Sequence, residues 1–130
     1  MNSSLDANIM LRYILEDIPK QSKMVEELLK DQEQIFHISD LVLAEVVFNL
    51  QCYEMPRENI VGTLLHIFSL PNIRVNRQVL DKALPFYLEH PALSFVDCMA
   101  TFYAEVNGTE PLWTFDKRLA NQHPSAKKLS

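Results

Sequence analysis

Apolar positions recur along the chain with a helical period, interrupted at short intervals by prolines and by brief β-rich stretches. Residues 8–17 carry Ile9, Leu11, Tyr13, Ile14 and Leu15 as a helical stripe that Pro19 would end, and a second helix fits residues 22–34. Residues 35–38 (IFHI) read as a short strand, after which Ser39 and Asp40 offer capping oxygens to a strongly apolar helix running to about Glu54. Pro56 opens the next helix. Its broad face of Ile60, Val61, Leu64, Leu65 and Phe68 ends near Pro71 and leads to a strand at residues 73–75.

A helix from about Arg77 contains Pro85, which lacks a backbone donor and collides with the preceding turn, so a kink or an early end is expected there. Residues 94–106 form another helical pattern stopped by Asn107 and Gly108; residues 111–115 (PLWTF) read as a strand that feeds a short helix from Asp116. Parallel strands need helical crossovers, so this alternation predicts an α/β domain spanning residues 1–130: a small parallel sheet of four or five strands with helices on both faces.

Composition narrows the chemistry. The 130 residues are 48% hydrophobic and 22% charged, a globular balance, and the formal net charge of -5 makes the whole molecule repel polyanions unless a metal or a local basic patch intervenes. Two glycines cannot build a phosphate-cradling loop, which removes P-loop and dinucleotide-binding readings. Cys52 and Cys98 form no CxxC, and no leader precedes them, so a reduced, cytoplasmic protein without structural zinc is expected. The longest apolar run, residues 41–48, is interrupted by Glu45 and is too short to cross a bilayer, so no membrane partner is expected.

Four acids stand in unusual places. Glu45 lies between Leu41, Val42, Leu43, Ala44 and Val46, Val47, Phe48, which predicts a partly buried carboxylate with no Lys or Arg within a helical turn. Asp97 sits on a similarly apolar helix, while Asp6 and Asp116 each follow a strand and precede a helix, at the edge where parallel sheets bind ligands. Brought together without a cation, four carboxylates would repel one another, so a convergent cluster calls for a hard divalent ion, Mg²⁺ or Mn²⁺. Plainer readings stand beside this one: Asp6 and Asp116 as helix N-caps, Asp40 as a cap, Glu45 paired with Arg12, Arg57 or Arg118, and Asp97 hydrogen-bonded through Ser94 or Thr101. Trp113 and the other aromatics read as core. Lys117 with Arg118, and Arg74 with Arg77, either line a substrate path or are solvated surface.

Four blocks carry a family resemblance: LDANIMLRYILEDIP from Leu5, HISDLVLAEVVFNL from His37, LSFVDCMATFYAE from Leu93, and LWTFDKRLA from Leu112, with Asp116 nineteen positions after Asp97. In order and spacing these resemble the PIN-domain ribonucleases, specifically the VapC-type toxins of toxin-antitoxin pairs. The resemblance implies a three-layer α/β fold and an acidic catalytic quartet of Asp6, Glu45, Asp97 and Asp116, with Asp6 and Asp97 as metal ligands for Mg²⁺ or Mn²⁺. Asn8 and Thr114 become supporting polar residues.

It further implies endonucleolytic cleavage of an RNA substrate, a cytoplasmic homodimer, and inhibition by a cognate antitoxin protein. The apolar stripes around Ile14 and Leu64 are candidates for the dimer face, or are simply core. Two alternatives remain open: a catalytically silent interaction module that binds a basic partner tail, and a PIN nuclease of RNA maturation or DNA processing. Against the family pattern, Asn2, Ser3 and Ser4 are polar for a buried first strand, and little chain follows Asp116 for a last one.

Overall fold

A computed structural model describes residues 1–129. The chain divides into two compact units, Met1–Val75 and a second beginning at Asn76, each of which is built from parallel strands and packed helices.

In the first unit, β1 (Asn2–Ser4), β2 (Ile35–His37) and β3 (Ile73–Arg74) form a parallel ladder in the order β1-β2-β3. Register pairs Ser3 with Phe36 and Phe36 with Ile73. The central strand is the most apolar and buries Phe36. β1 lies at one end of this ladder, which explains the polarity of Asn2, Ser3 and Ser4: an edge strand is not enclosed on both sides. Asn2 uses its position to meet His37 across the strands, with Oδ1 2.8 Å from Nε2.

Four helices complete this unit: α1 (Ala7–Leu15), α2 (Pro19–Leu29), α3 (Asp40–Cys52) and α4 (Arg57–Phe68). α1 ends earlier than the periodicity predicts, at Glu16 in the left-handed region, and Pro19 does not terminate it. Pro19 instead opens α2 at its first turn, where the missing N–H costs nothing, so α2 begins three residues before the expected Ser22 and ends at Leu29 rather than Gln34. Ser39, not Asp40, caps α3, its hydroxyl accepting from the Val42 N–H. α4 buries Ile60, Val61, Leu64, Ile67 and Phe68; Leu64 is fully enclosed, which removes it as a dimer face, whereas Leu65 is turned outward.

The second unit holds α5 (Arg77–Glu89), α6 (Phe95–Val106), β4 (Leu112–Thr114), α7 (Lys117–Gln122) and β5 (Ala126–Lys128). α5 and α6 pack along one another. Pro85 does not end α5, which continues through Glu89. Its ring is exposed, while Val79, Leu80, Ala83, Leu84 and Tyr87 are buried, so the gain from burying that face outweighs the lost backbone bond. A last strand does exist: β5 pairs in parallel with β4, Leu112 opposite Ala126 and Thr114 opposite Lys128. The five strands therefore fall into ladders of three and two.

Candidate acidic site

Asp6 is the N-cap of α1. Its Oδ1 accepts from the Ile9 N–H at 3.1 Å, which fixes the rotamer and leaves the second carboxylate oxygen exposed. The plain capping role is thus real, but a single oxygen suffices for it. Asn8, one residue into the helix, is exposed. Both line a cleft of about 570 Å³ bounded by α1 and α2, with Ile9, Ile18, Met24 and Val25 as apolar wall and Arg12 and Gln21 as polar rim. The cleft was not legible in the sequence, because it depends on how α1 and α2 are turned at residues 16–18. Arg12 is held by Asp17, Nε to Oδ1 3.2 Å.

Glu45 corrects the expectation of burial. α3 buries Leu43, Val46, Val47 and Leu50, and Glu45 lies on the opposite side, exposed, on a stripe with Leu41 and Phe48. Those two apolar residues are themselves 83% and 66% exposed, so the apolar flanks that suggested enclosure do not enclose it. Of the arginines considered as a partner, Arg12 pairs instead with Asp17. Leu41, Glu45 and Phe48 follow the i, i+4, i+7 spacing of one helix face, which places a carboxylate within an apolar surface stripe.

Asp97 lies in the first turn of α6 and is half-buried. Ser94 caps that helix by accepting from the Asp97 N–H at 3.1 Å, and the Thr101 hydroxyl donates to the Asp97 backbone carbonyl at 2.6 Å. The local hydrogen bonds foreseen through Ser94 and Thr101 therefore exist, but they engage the backbone of Asp97. Its carboxylate takes no hydrogen bond and no ion pair among the described residues. The N-terminal end of the helix favours the negative charge, yet a half-buried carboxylate without donors still has capacity for a cation.

Asp116 caps α7, Oδ1 accepting from the N–H groups of Arg118 at 2.9 Å and Leu119 at 3.1 Å. Thr114 Oγ1 accepts from the Asp116 backbone N–H at 2.9 Å, a contact to the main chain of that residue. As with Asp6, one carboxylate oxygen is committed and the residue is exposed.

Two acids thus belong to each unit: Asp6 and Glu45 to the first, Asp97 and Asp116 to the second. All four offer oxygen donors only, the chemistry suited to Mg²⁺ or Mn²⁺. Among the described residues no three His, Cys, Asp or Glu side chains are grouped so as to hold a metal ion. The aromatics flanking the last acid also depart from expectation: Trp113 is 55% and Phe115 74% exposed, so neither is core. The signal available in the sequence was their placement among Lys117, Arg118, Lys127 and Lys128.

A search of curated proteins finds no match to the chain. A comparison with family models matches residues 4–122 to the PIN domain, a span that runs from β1 through α7 and includes all four acids. Seven helices and parallel strands among the described residues are compatible with the three-layer α/β architecture of that family, whose members are in general metal-dependent nucleases. The chain belongs to the PIN-domain family.

Proposed function

We propose that the chain, as a single domain, is a Mg²⁺- or Mn²⁺-dependent endoribonuclease and the toxin of a toxin-antitoxin pair. Asp6 and Asp97 hold the ion, Glu45 and Asp116 complete the acidic site, and Asn8 and Thr114 support it. A bound divalent ion supplies electrostatic stabilisation of the charge that develops on the phosphoryl group. The residues of the chain do the rest: the caps at Asp6 and Asp116 fix two carboxylates by one oxygen each, and Thr114 holds the backbone N–H of Asp116. The observation that carries this reading is the half-buried Asp97 carboxylate, which no protein donor or cation satisfies among the described residues. The same reading makes the protein a cytoplasmic homodimer held inactive by an antitoxin whose basic side chain occupies the acidic site. No described helix is long and apolar enough to cross a membrane.

The test is cleavage of a labelled mixed RNA pool by purified protein with Mg²⁺ or Mn²⁺, against EDTA and the Asp97→Asn variant. Metal-dependent cutting that falls at least 100-fold in the variant, with the fold intact by circular dichroism, is the expected result. An unchanged rate in Asp97→Asn removes that residue from the site. Metal-independent binding of a basic peptide with no turnover of any RNA would instead identify an interaction module.

A further inference from the structure

We infer that the β4–α7–β5 segment is a binding ledge for single-stranded RNA, with Trp113 and Phe115 stacking bases and the neighbouring cations holding phosphates. This inference rests on the ribonuclease reading for its choice of polymer, but on separate residues for its physics.

Trp113 projects from β4 and Phe115 follows that strand at the bend before Asp116; both rings are more than half exposed. A tryptophan and a phenylalanine two residues apart on a protein surface present two aromatic faces within about 7 Å along the chain. Exposed rings of this size usually find a partner, because their apolar area is large. The charge around them indicates which partner. Across residues 112–128 there are four cations, Lys117, Arg118, Lys127 and Lys128, against one carboxylate, Asp116, in a chain whose net charge is -5. All four cations are exposed.

β pairing sets Trp113 opposite Lys127, whose ammonium lies 5.5 Å from the indole centroid. Lys127 thus takes one face of the indole, and a base stacked on the other would carry its phosphate near a cation already fixed there. Aromatic faces interleaved with cations are the means by which single strands are bound without regard to sequence, since every base has a π-face and every link a charge. A basic protein or peptide would be repelled by the four cations, a neutral apolar partner would leave them uncompensated, and an acidic peptide would match the charge but bring no regular series of planar bases to the two exposed rings. The ledge adjoins Asp116, so a strand lying on it would be led directly to one of the proposed catalytic acids.

Trp113 is the only tryptophan in the chain, so it reports its own occupancy. The experiment titrates a mixed-sequence single-stranded RNA decamer into the full-length protein in EDTA at low salt, following tryptophan emission. A fluorescein-labelled copy of the decamer is followed in parallel by anisotropy. Expected are quenching and anisotropy curves with one midpoint, and binding weakened about 5- to 100-fold by Trp113→Ala or Phe115→Ala with partial rescue by Trp113→Phe. Lys127→Ala should lower the slope of log affinity against log salt by about 0.7.

Binding that leaves the emission unchanged and is indifferent to both aromatic variants overturns the ledge, as does no binding at low salt. So do aromatic variants that alter the oligomeric mass while RNA affinity stays constant, which would assign the surface to self-association. Because EDTA suppresses any metal-dependent cleavage, binding without subsequent cutting in Mg²⁺ would reject the nuclease and keep the ledge. Cutting without quenching would do the reverse.

Discussion

Two helices here end in the same hydrogen-bonding pattern with different residues at the critical position. At the end of α6, Gly108 adopts φ +68°, its N–H donating to the Glu105 carbonyl at 3.3 Å while Thr109 N–H reaches back to Ala104 at 2.8 Å. At the end of α3 the equivalent place is filled by Glu54, φ +61°, with Glu54 N–H to Gln51 at 2.9 Å and Met55 N–H to Leu50 at 3.1 Å. This is the Schellman arrangement, in which the left-handed residue is normally glycine because a Cβ is strained there. Gly108→Ala is therefore expected to lower stability by about 1 kcal/mol, and since a Cβ at that position meets nothing within 4 Å, the cost is purely backbone. Glu54→Gly should raise stability by about 0.5 kcal/mol, the strain relieved less the added freedom of the unfolded chain. Urea unfolding midpoints measure both. A second residue-scale consequence concerns His123, buried against Phe86 at 4.6 Å and Phe102 at 4.5 Å between ring centroids. Its Nδ1 accepts from the Ser125 N–H at 3.1 Å, which requires that nitrogen to be unprotonated. Burial is the main cause that pushes its pKa below 6.5; nearby Glu105 and Glu110 oppose the shift and His90 adds to it. With the folded value depressed, the unfolded chain takes up the proton first as the pH drops below 6.5. Stability is thus full above that pH and is lost as pH falls toward the folded pKa. Melting curves between pH 7.5 and 5.5 should show this decline, and His123→Asn, which keeps an acceptor but no titratable ring, should be less stable throughout and flatter with pH.

Among the elements, apolar period and capping residues located the seven helices and the strands β2 to β4, while β1 came only with the family resemblance, β5 was not foreseen, and proline and exposure were the other points of failure. Ser39, Ser94, Asp6 and Asp116 all cap as their residue types suggest, because an N-cap is decided by a few adjacent atoms. Pro19 opens a helix instead of closing one, and of the kink or early end expected at Pro85 the early end does not occur, since the residue sits inside a helix that runs on to Glu89. Which of these a proline does depends on whether the flanking turns have something to bury, information that lies far away in sequence. Glu45 shows the same limit for the site. A helix as uniformly apolar as α3 has two candidate inner faces, and only its packing against α1 and α4 settles that Leu43, Val46, Val47 and Leu50 go in while Leu41, Glu45 and Phe48 stay out. The family was legible because motif order survives such errors, whereas the exposure of Trp113 and Phe115 was not, since short strands rich in aromatics usually face a core. Pro85 offers a direct measure of what burial offsets. Restoring the backbone donor in α5 with Pro85→Ala is expected to stabilise the protein by about 1–2 kcal/mol, the relieved clash and regained bond less the entropy that proline removes from the unfolded chain. Because Pro85 is exposed, no packing is lost. An unchanged or lowered urea midpoint would show that the helix is already distorted to accommodate the ring.

For the molecule as a whole, charge sets the relation between stability and function. A net charge of -5 accompanies four carboxylates that the proposed site assembles about one cation, while the basic residues of 112–128 stand apart as the only stretch of that length with a strong positive excess near an acid of the quartet. Among the described residues no three such side chains are grouped, so an ion held by the proposed site acts on stability through linkage to the folded state. Ion binding to the folded state alone adds RT ln(1 + [L]/Kd), about 2.7 kcal/mol when free Mn²⁺ is a hundredfold above Kd, equivalent to several degrees in Tm for a chain of this size. The wild-type protein is therefore expected to melt higher in Mn²⁺ than in EDTA. Asp97→Asn should abolish that shift: it should melt slightly below the wild type in EDTA, having lost a carboxylate from the first turn of α6, and it should gain little or nothing from Mn²⁺. The shift between EDTA and Mn²⁺ separates a metal ligand from a structural residue. A buried carboxylate that merely supported the fold would lower Tm in both conditions when changed to Asn, and would leave the shift between EDTA and Mn²⁺ intact. That pattern would remove Asp97 from the metal site whatever the cleavage assay showed, since a misfolded nuclease and an unmetallated one are equally inactive but differ in how they melt.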